Sequence, residues 1–348
     1  MRLIRPNVEA LEPYVPGEQP QEAGWIKLNT NENPFIAPAI AEAVAKAASD
    51  ALRLYPDPLC RDLRRRLAER YHVPPEQIIC GNGSDELLTL AVRVAAGEGD
   101  RIAFPTPSYS LYETLAQIQN ALAVAVPLGP GWELPVEALA AAGARLTFVA
   151  NPNAPTGTAY PLDQIEMLAQ RVDGLLVVDE AYVDFGGETA LPLLDRYEHV
   201  LVLRTMSKAF GLAGVRLGYG FGSRRVIEAL YKVKDSYNVD RLTQVAGLAA
   251  LDCYELAMAN NRAIAARRER VAQVLQERFG WRVWPSRANF LLVDTAPRPA
   301  REIYEGLKQR RILVRYFQRP RIEQCLRITI GSESDMAALV EALEGMLR

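Results

Sequence analysis

Histidine is nearly missing from this chain of 348 residues, and the two present, His72 and His199, lie far apart in sequence. A histidine-based metal cluster and a Ser/His/Asp triad are therefore not expected. Cysteine is sparse too. Cys60, Cys80, Cys253 and Cys325 are scattered without CxxC spacing, which reads as reduced cytosolic thiols rather than a disulfide frame or a zinc site. No run of 18 or more apolar residues is present, which excludes an ordinary transmembrane helix. The opening "MRLIRPNVEALEPY" has no apolar h-region, so no secretory signal is expected and the expected location is the cytoplasm. The formal net charge is only -2, and nothing marks the chain as a binder of nucleic acid or of an anionic membrane. What remains is an ordinary globular composition, 49% apolar and 24% charged, at a length that suits one large unit plus a smaller one.

The first thirty-odd residues carry Pro6, Pro13, Pro16, Pro20 and Pro34 with no sustained period. They read as an irregular arm, residues 1–35, laid over the protein or a partner subunit. Helical patterns follow at 37–52 and 60–71, and then helices and strands alternate. Helices are expected at 85–96, 108–120 and 162–172, with strands at 101–105, 121–128, 145–152, 174–182 and 199–207. The last two are near-continuous apolar runs ending in polar residues, as in strands buried on both faces of a parallel sheet. In such sheets, ligands lie beyond the carboxyl ends of the strands, where Asn151, Asp179 and Lys208 fall. The large unit is expected over 36–240. After it the pattern changes to one or two long helices at 242–279, broken near Cys253, followed by short strands and two more helices. This reads as a smaller α+β unit over 241–348.

Four stretches carry chemistry. "GNGSDELL" (81–88) sets two glycines before a helix start with Ser84 and Asp85 as capping candidates; it is either a plain glycine turn or a place where helix N–H groups meet a phosphate. "TPSYSLYETL" (106–115) places Tyr109 and Tyr112 three residues apart, either as half-buried aromatics or with one ring stacked on a planar ligand. "VVDEAY" (177–182) ends an apolar strand with two adjacent acids. Successive strand side chains point to opposite faces, so Asp179 and Glu180 cannot serve one site equally. A buried acid there needs a cationic partner such as a protonated pyridine nitrogen. In "TMSKAFGLAGVR" (205–216), Lys208 follows a buried strand between hydroxyls, with Arg216 eight residues on. A lysine nucleophile must be neutral, so burial or nearby cations must lower its pKa. Thr205 and Ser207 could donate to a phosphate that Arg216 grips with its fork.

Taken in order, "LNTNENP" (28–34), "YPD" (55–57), "GNGSDE" (81–86), "PTPSY" (105–109), "NPNAPTG" (151–157), "DEAY" (179–182), "SKAFGLAGVRLGY" (207–219), "ANFLL" (288–292) and "LRITIG" (326–331) resemble the fold-type-I pyridoxal-phosphate aminotransferases across nearly the whole chain. The resemblance implies an α/β fold: a large part with a mainly parallel seven-stranded sheet between helices, and a smaller α+β C-terminal part. It implies pyridoxal 5'-phosphate as cofactor, linked covalently to Lys208, which then shuttles a proton. Asp179 would pair with the ring nitrogen, Tyr182 would hydrogen-bond the ring hydroxyl and Tyr109 would stack on the ring. The backbone at Ser84 and Asp85, with Thr205, Ser207 and Arg216, would hold the phosphate. Tyr55 would reach the same phosphate from a neighbouring subunit, implying a homodimer with shared sites.

"LEPYVPG", the "LNTNENP" and "YPD" pair and "ILVRYF…CLRITIG" narrow the resemblance to the branch acting on histidinol phosphate, with 2-oxoglutarate as amino acceptor. Arg327 would bind a substrate carboxylate, and Arg315 the substrate phosphate, unless Arg315 is a surface charge. Tyr14 and Asn29 or Asn31 would line the pocket. One position departs from the family: asparagine usually precedes "PTG", and here Ala154 stands there. Asn153, with a shifted loop, is expected to take over the contact with the ring hydroxyl. Other readings are an aromatic amino-acid aminotransferase, a phosphothreonine decarboxylase on the same scaffold and a non-catalytic regulator. The regulator would normally carry a DNA-binding module ahead of this scaffold, for which the sequence shows no room. A Rossmann nucleotide binder fails on the missing dinucleotide fingerprint.

Overall fold

The structure, a computed structural model, describes residues 3–12 and 17–347. Its strands in chain order are β1 (Ile26–Lys27), β2 (Ile78–Asn82), β3 (Arg101–Thr106), β4 (Leu122–Pro127), β5 (Leu146–Ala150), β6 (Leu175–Asp179), β7 (Val200–Thr205), β8 (Leu217–Gly222), β9 (Arg282–Val283), β10 (Phe290–Asp294), β11 (Ile312–Leu313), β12 (Arg315–Tyr316) and β13 (Cys325–Thr329). Seven of them form one sheet in the order β2-β8-β7-β6-β5-β3-β4. From β7 to β4 all neighbours are parallel, while β8 runs antiparallel to both β7 and β2. Every residue of β5 and β7 is buried, as expected of strands covered on both faces.

Two of these seven strands escape a reading of the sequence. β2 (IICGN) and β8 (LGYGFG) carry glycines where strand-formers are expected. The glycines of β8 are there because other atoms occupy the Cβ positions. A Cβ on Gly218 would lie 2.4 Å from the backbone of Gly83 and Ser84, and one on Gly220 would lie 2.7 Å from Leu203. The bare face of β8 lets the start of the Gly83–Ala95 helix press against the sheet. The expected helix over 37–52 also ends early: it runs Pro38–Ala47, and a separate 3-10 turn, Asp50–Arg53, begins at Ser49, whose side chain accepts from the Ala51 N–H.

The break near Cys253 falls as read, between helices Arg241–Asp252 and Tyr254–Phe279. Beyond it, β12-β13-β10-β9 make an antiparallel sheet, against which helices Ala300–Gln309 and Glu333–Leu347 pack through a separate apolar cluster containing Leu291, Val293, Leu307, Ile328 and Leu343. The N-terminal segment joins this part of the molecule. β1 pairs in parallel with β11, and the Thr329 N–H donates to Leu28 O at 3.0 Å. No helix among the described residues is long and apolar enough to cross a membrane.

The strand alternation at the end of β6 decides how its two acids are used. Asp179 points to the cavity side, while Glu180 points away into a buried ion pair, with Arg204 Nη2 2.8 Å from its Oε2. Thr189 donates to the same carboxylate at 2.9 Å, and Asp184 lies 3.6 Å from Arg204. Removing one partner of a buried pair strands the other charge at a cost of about 3–5 kcal/mol. Glu180→Ala is therefore expected to lower the unfolding free energy by about that amount while leaving cofactor affinity intact. Urea unfolding beside a cofactor titration checks this, and a loss below about 1 kcal/mol would contradict it.

Candidate active site

The carboxyl ends of β5, β6 and β7 open onto a cavity of about 600 Å³ lined by Ala150, Asp179 and Thr205 among others. The helix that follows β7, Met206–Ala209, delivers Lys208 into it. Thr205 caps that helix: its Oγ1 accepts from the Ser207 N–H at 3.1 Å and has Leu217 O within 3.2 Å. Lys208 Nζ donates to the Thr30 carbonyl at 3.0 Å. Burial, reinforced by the positive charge of Arg327, lowers the Lys208 pKa to about 8. That shift brings a lysine base or nucleophile closer to the neutral form it needs.

At the end of β6, Asp179 accepts from the Tyr112 hydroxyl at 2.9 Å and from the Ala181 N–H at 3.2 Å. Both donors are neutral, and burial pushes its carboxyl up to about 6. A cationic group placed against it would hold it ionised. Tyr112 is the contributor that the sequence reading leaves among ordinary aromatics. It is fully buried, stacked on Phe148 with centroids 4.6 Å apart, and its signal was its place one helical turn from Tyr109. Tyr109 lines the cavity and fixes its ring by donating to Asp85 Oδ1 at 3.0 Å.

The same cavity holds an anion cradle. Ser84 and Asp85 form the first turn of the helix Gly83–Ala95, whose N–H groups and dipole favour negative charge. Arg216 leans over this turn, its Nη2 3.1 Å from Asp85 Oδ2. Gly83, at φ +77, makes the approach feasible, since a Cβ there would stand 2.7 Å from Arg216 Nη2. Ser207 also lines the cavity. The cradle, the buried Asp179 carboxylate and a lysine of lowered pKa, all lining one cavity, fit a phosphorylated, protonatable heteroaromatic ring bearing an electrophile.

The remaining expected residues divide. Asn29, Asn31, Tyr182, Arg315 and Arg327 all line the cavity. Arg315 and Arg327 are direct partners across β12 and β13, so their side chains share one face. Asn31, expected to touch substrate, has its amide nitrogen committed to Tyr182 Oη at 2.9 Å. Asn29 Nδ2 is held by Glu18 O at 2.9 Å. Asn153 does not take the role expected of it. Its side chain is fully buried, donating to Pro107 O at 3.0 Å and Thr156 Oγ1 at 2.9 Å and accepting from Ser108 Oγ at 2.6 Å. It braces the loop, and Ala154 lines the cavity, packed against Ala288, Phe290 and Tyr182. Tyr55 is not part of this chain's cavity; it is 77% exposed and stacked on Tyr237 with centroids 4.3 Å apart. Tyr14 lies outside the described residues. Arg319, which the sequence reading passed over, stands exposed at the cavity's edge.

Residues 23–343 match the family "Aminotransferase class I and II". The chain belongs to that family. The aminotransferase is 42% identical to histidinol-phosphate aminotransferase 1 of Trichormus variabilis, covering 99% of both chains. It is 44% identical to the histidinol-phosphate aminotransferase of Chromohalobacter salexigens over 99% of this chain and 98% of the other. Its fold matches that of the histidinol-phosphate aminotransferase from Sinorhizobium meliloti in complex with pyridoxal-5'-phosphate, with a TM-score of 0.91 at 28% identity and 99% coverage of both.

Proposed function

We propose that this aminotransferase is pyridoxal-phosphate dependent and moves the amino group of L-histidinol phosphate to 2-oxoglutarate, giving imidazole acetol phosphate and glutamate. The observation that carries the reading is the pair Arg315 and Arg327, side by side on one face of the small antiparallel sheet and separate from Arg216 at the cofactor-phosphate cradle. One cavity thus offers two anion sites, one for a phosphorylated cofactor and one for a substrate phosphate or carboxylate.

Pyridoxal phosphate, when bound, supplies the electron sink for a carbanion at the amine-bearing carbon. Each residue has a separate task around it. The backbone N–H groups of Ser84 and Asp85, with Thr205, Ser207 and Arg216, would hold the phosphate, and Asp179 would face the ring nitrogen and stabilise its positive charge. Tyr182 would donate to the ring's hydroxyl oxygen. Lys208 Nζ takes the proton from the substrate carbon, and its lowered pKa leaves roughly a tenth of the amine neutral at pH 7. Arg327, whose Nη2 donates to Asn29 O at 2.8 Å, is fixed in place for the carboxylate of 2-oxoglutarate. Tyr55, exposed and outside its own cavity, supports a homodimer in which it completes the neighbour's site. A cytoplasmic location accords with this biosynthetic role.

Turnover of histidinol phosphate with 2-oxoglutarate, compared with phenylalanine, tests the substrate. A preference for phenylalanine would overturn it, and carbon dioxide release without a keto acid would point to a decarboxylase. Arg315→Gln is expected to raise KM for histidinol phosphate by about 10- to 100-fold, the worth of a hydrogen bond to a charged group. The effect on dephosphorylated histidinol should be small, and an equal effect on both would remove Arg315 from phosphate recognition.

A further inference from the structure

Asn31 is almost fully buried, 1% exposed, with a left-handed φ of 59. All its polar groups are accounted for. Its backbone N–H donates to Thr329 Oγ1 at 3.0 Å, and its carbonyl accepts from Asn289 Nδ2 at 2.9 Å. Its Oδ1 accepts from the Thr329 hydroxyl at 3.1 Å, and its Nδ2 donates to Tyr182 Oη at 2.9 Å. The amide cannot turn over without cost. Flipped, it would face Thr329 with donors alone and leave that buried hydroxyl's proton without the acceptor it now has. Thr329 is in turn pinned by its own N–H on Leu28 O.

This ordering fixes the direction of the next bond. With Nδ2 occupying an acceptor site on Tyr182 Oη, the Tyr182 proton is directed away from Asn31 and into the cavity. Ala154, Ala288 and Phe290 pack around Tyr182, and Ala154 gives that wall a methyl rather than a second donor. We infer that Asn31 is a positioning residue that sets Tyr182 as the side-chain donor to the cofactor's ring hydroxyl oxygen. The inference rests on the pyridoxal-phosphate reading above. Burial holds the Tyr182 hydroxyl above its usual pKa, and the charges around it are Lys208, Arg327, Asp179 and Asp85, so it stays protonated and able to donate.

Asn31→Asp reverses the polarity. Aspartate tolerates the left-handed backbone and still accepts from Thr329, but it offers Tyr182 an acceptor and draws the hydroxyl proton out of the cavity. A donor to the ring oxygen competes with the proton shared between that oxygen and the Lys208-linked nitrogen. Losing the donor tightens that proton and raises the pH midpoint of the bound cofactor's absorbance. In purified holoenzyme, N31D and Tyr182→Phe are each expected to raise the midpoint by about one pH unit. In the Tyr182→Phe background, N31D should add less than half of that, which separates hydroxyl direction from the added charge. Thr329→Val, which adds no charge and releases the amide, should move the midpoint the same way by a smaller amount. Cofactor bound normally, with N31D and Thr329→Val midpoints unchanged or with N31D shifting equally in both backgrounds, overturns the inference alone. A wild-type protein that binds no pyridoxal phosphate overturns the parent reading and the inference with it.

Discussion

Lys208→Ala is expected to cut turnover by about 10⁴-fold, the upper end for loss of a positioned acid–base group. The lysine is buried at the carboxyl end of β7, tied to Thr30 O, and held at a pKa of about 8 by burial and Arg327. Among the described residues, no other residue lining the cavity combines a primary amine with that lowered pKa. Lys208→Arg separates the two roles the residue could play. Arginine keeps the charge but does not release its proton, so it too should be inactive. Steady-state rates for both variants decide the matter, and an active Lys208→Arg enzyme would show that charge rather than proton transfer is needed.

Asp179→Asn should have opposite effects on activity and on the stability of cofactor-free protein. Turnover is expected to fall by about 10²- to 10³-fold, as for loss of one preorganised electrostatic group. The stability effect follows from the raised carboxyl, 3.8 in the ordinary state and about 6 in the fold. Between those values the folded protein binds the proton that the unfolded chain has released, so stability declines as pH rises through that window and stays lower above it. Two units correspond to about 3 kcal/mol. Cofactor-free Asp179→Asn should therefore be more stable than wild type by up to about that amount at pH 7, with the gain vanishing toward pH 4. Denaturant unfolding at both pH values checks it; equal stability at pH 7 would refute it. Bound cofactor should erase the advantage, because a ring cation gives the wild-type carboxylate its partner.

The parallel strands were readable because burial on two faces writes itself as uninterrupted apolar runs, and Asp179 and Lys208 fall at or just beyond the ends of two of them. The break at Cys253 was readable too. β2 and β8 were not, since the glycines of β8 answer to the backbone of Gly83 and Ser84, a neighbour more than a hundred residues away in sequence. Asn153 was misplaced for a related reason. Sequence proximity to Ala154 suggested a replacement donor, but the loop needs that amide to hold Pro107 and Thr156. Tyr112 looked like packing because its partner, Asp179, is 67 residues away. Asn31 lines the cavity as expected, but its hydrogen bonds to Tyr182, Thr329 and Asn289 join residues far apart in sequence and left no local signal.

The neighbouring acids at the end of β6 make the spacing of that strand a two-state variable. Asp179 belongs to the cavity and Glu180 to the Arg204 pair, and only the alternation of one strand keeps them apart. A single-residue insertion or deletion upstream in β6 would exchange their sides. The carboxylate meant for Arg204 would enter the cavity, and the one meant for the ring would be driven into the core. The register of β6 is thus pinned at once by the cavity on one side and by the buried Arg204 pair on the other.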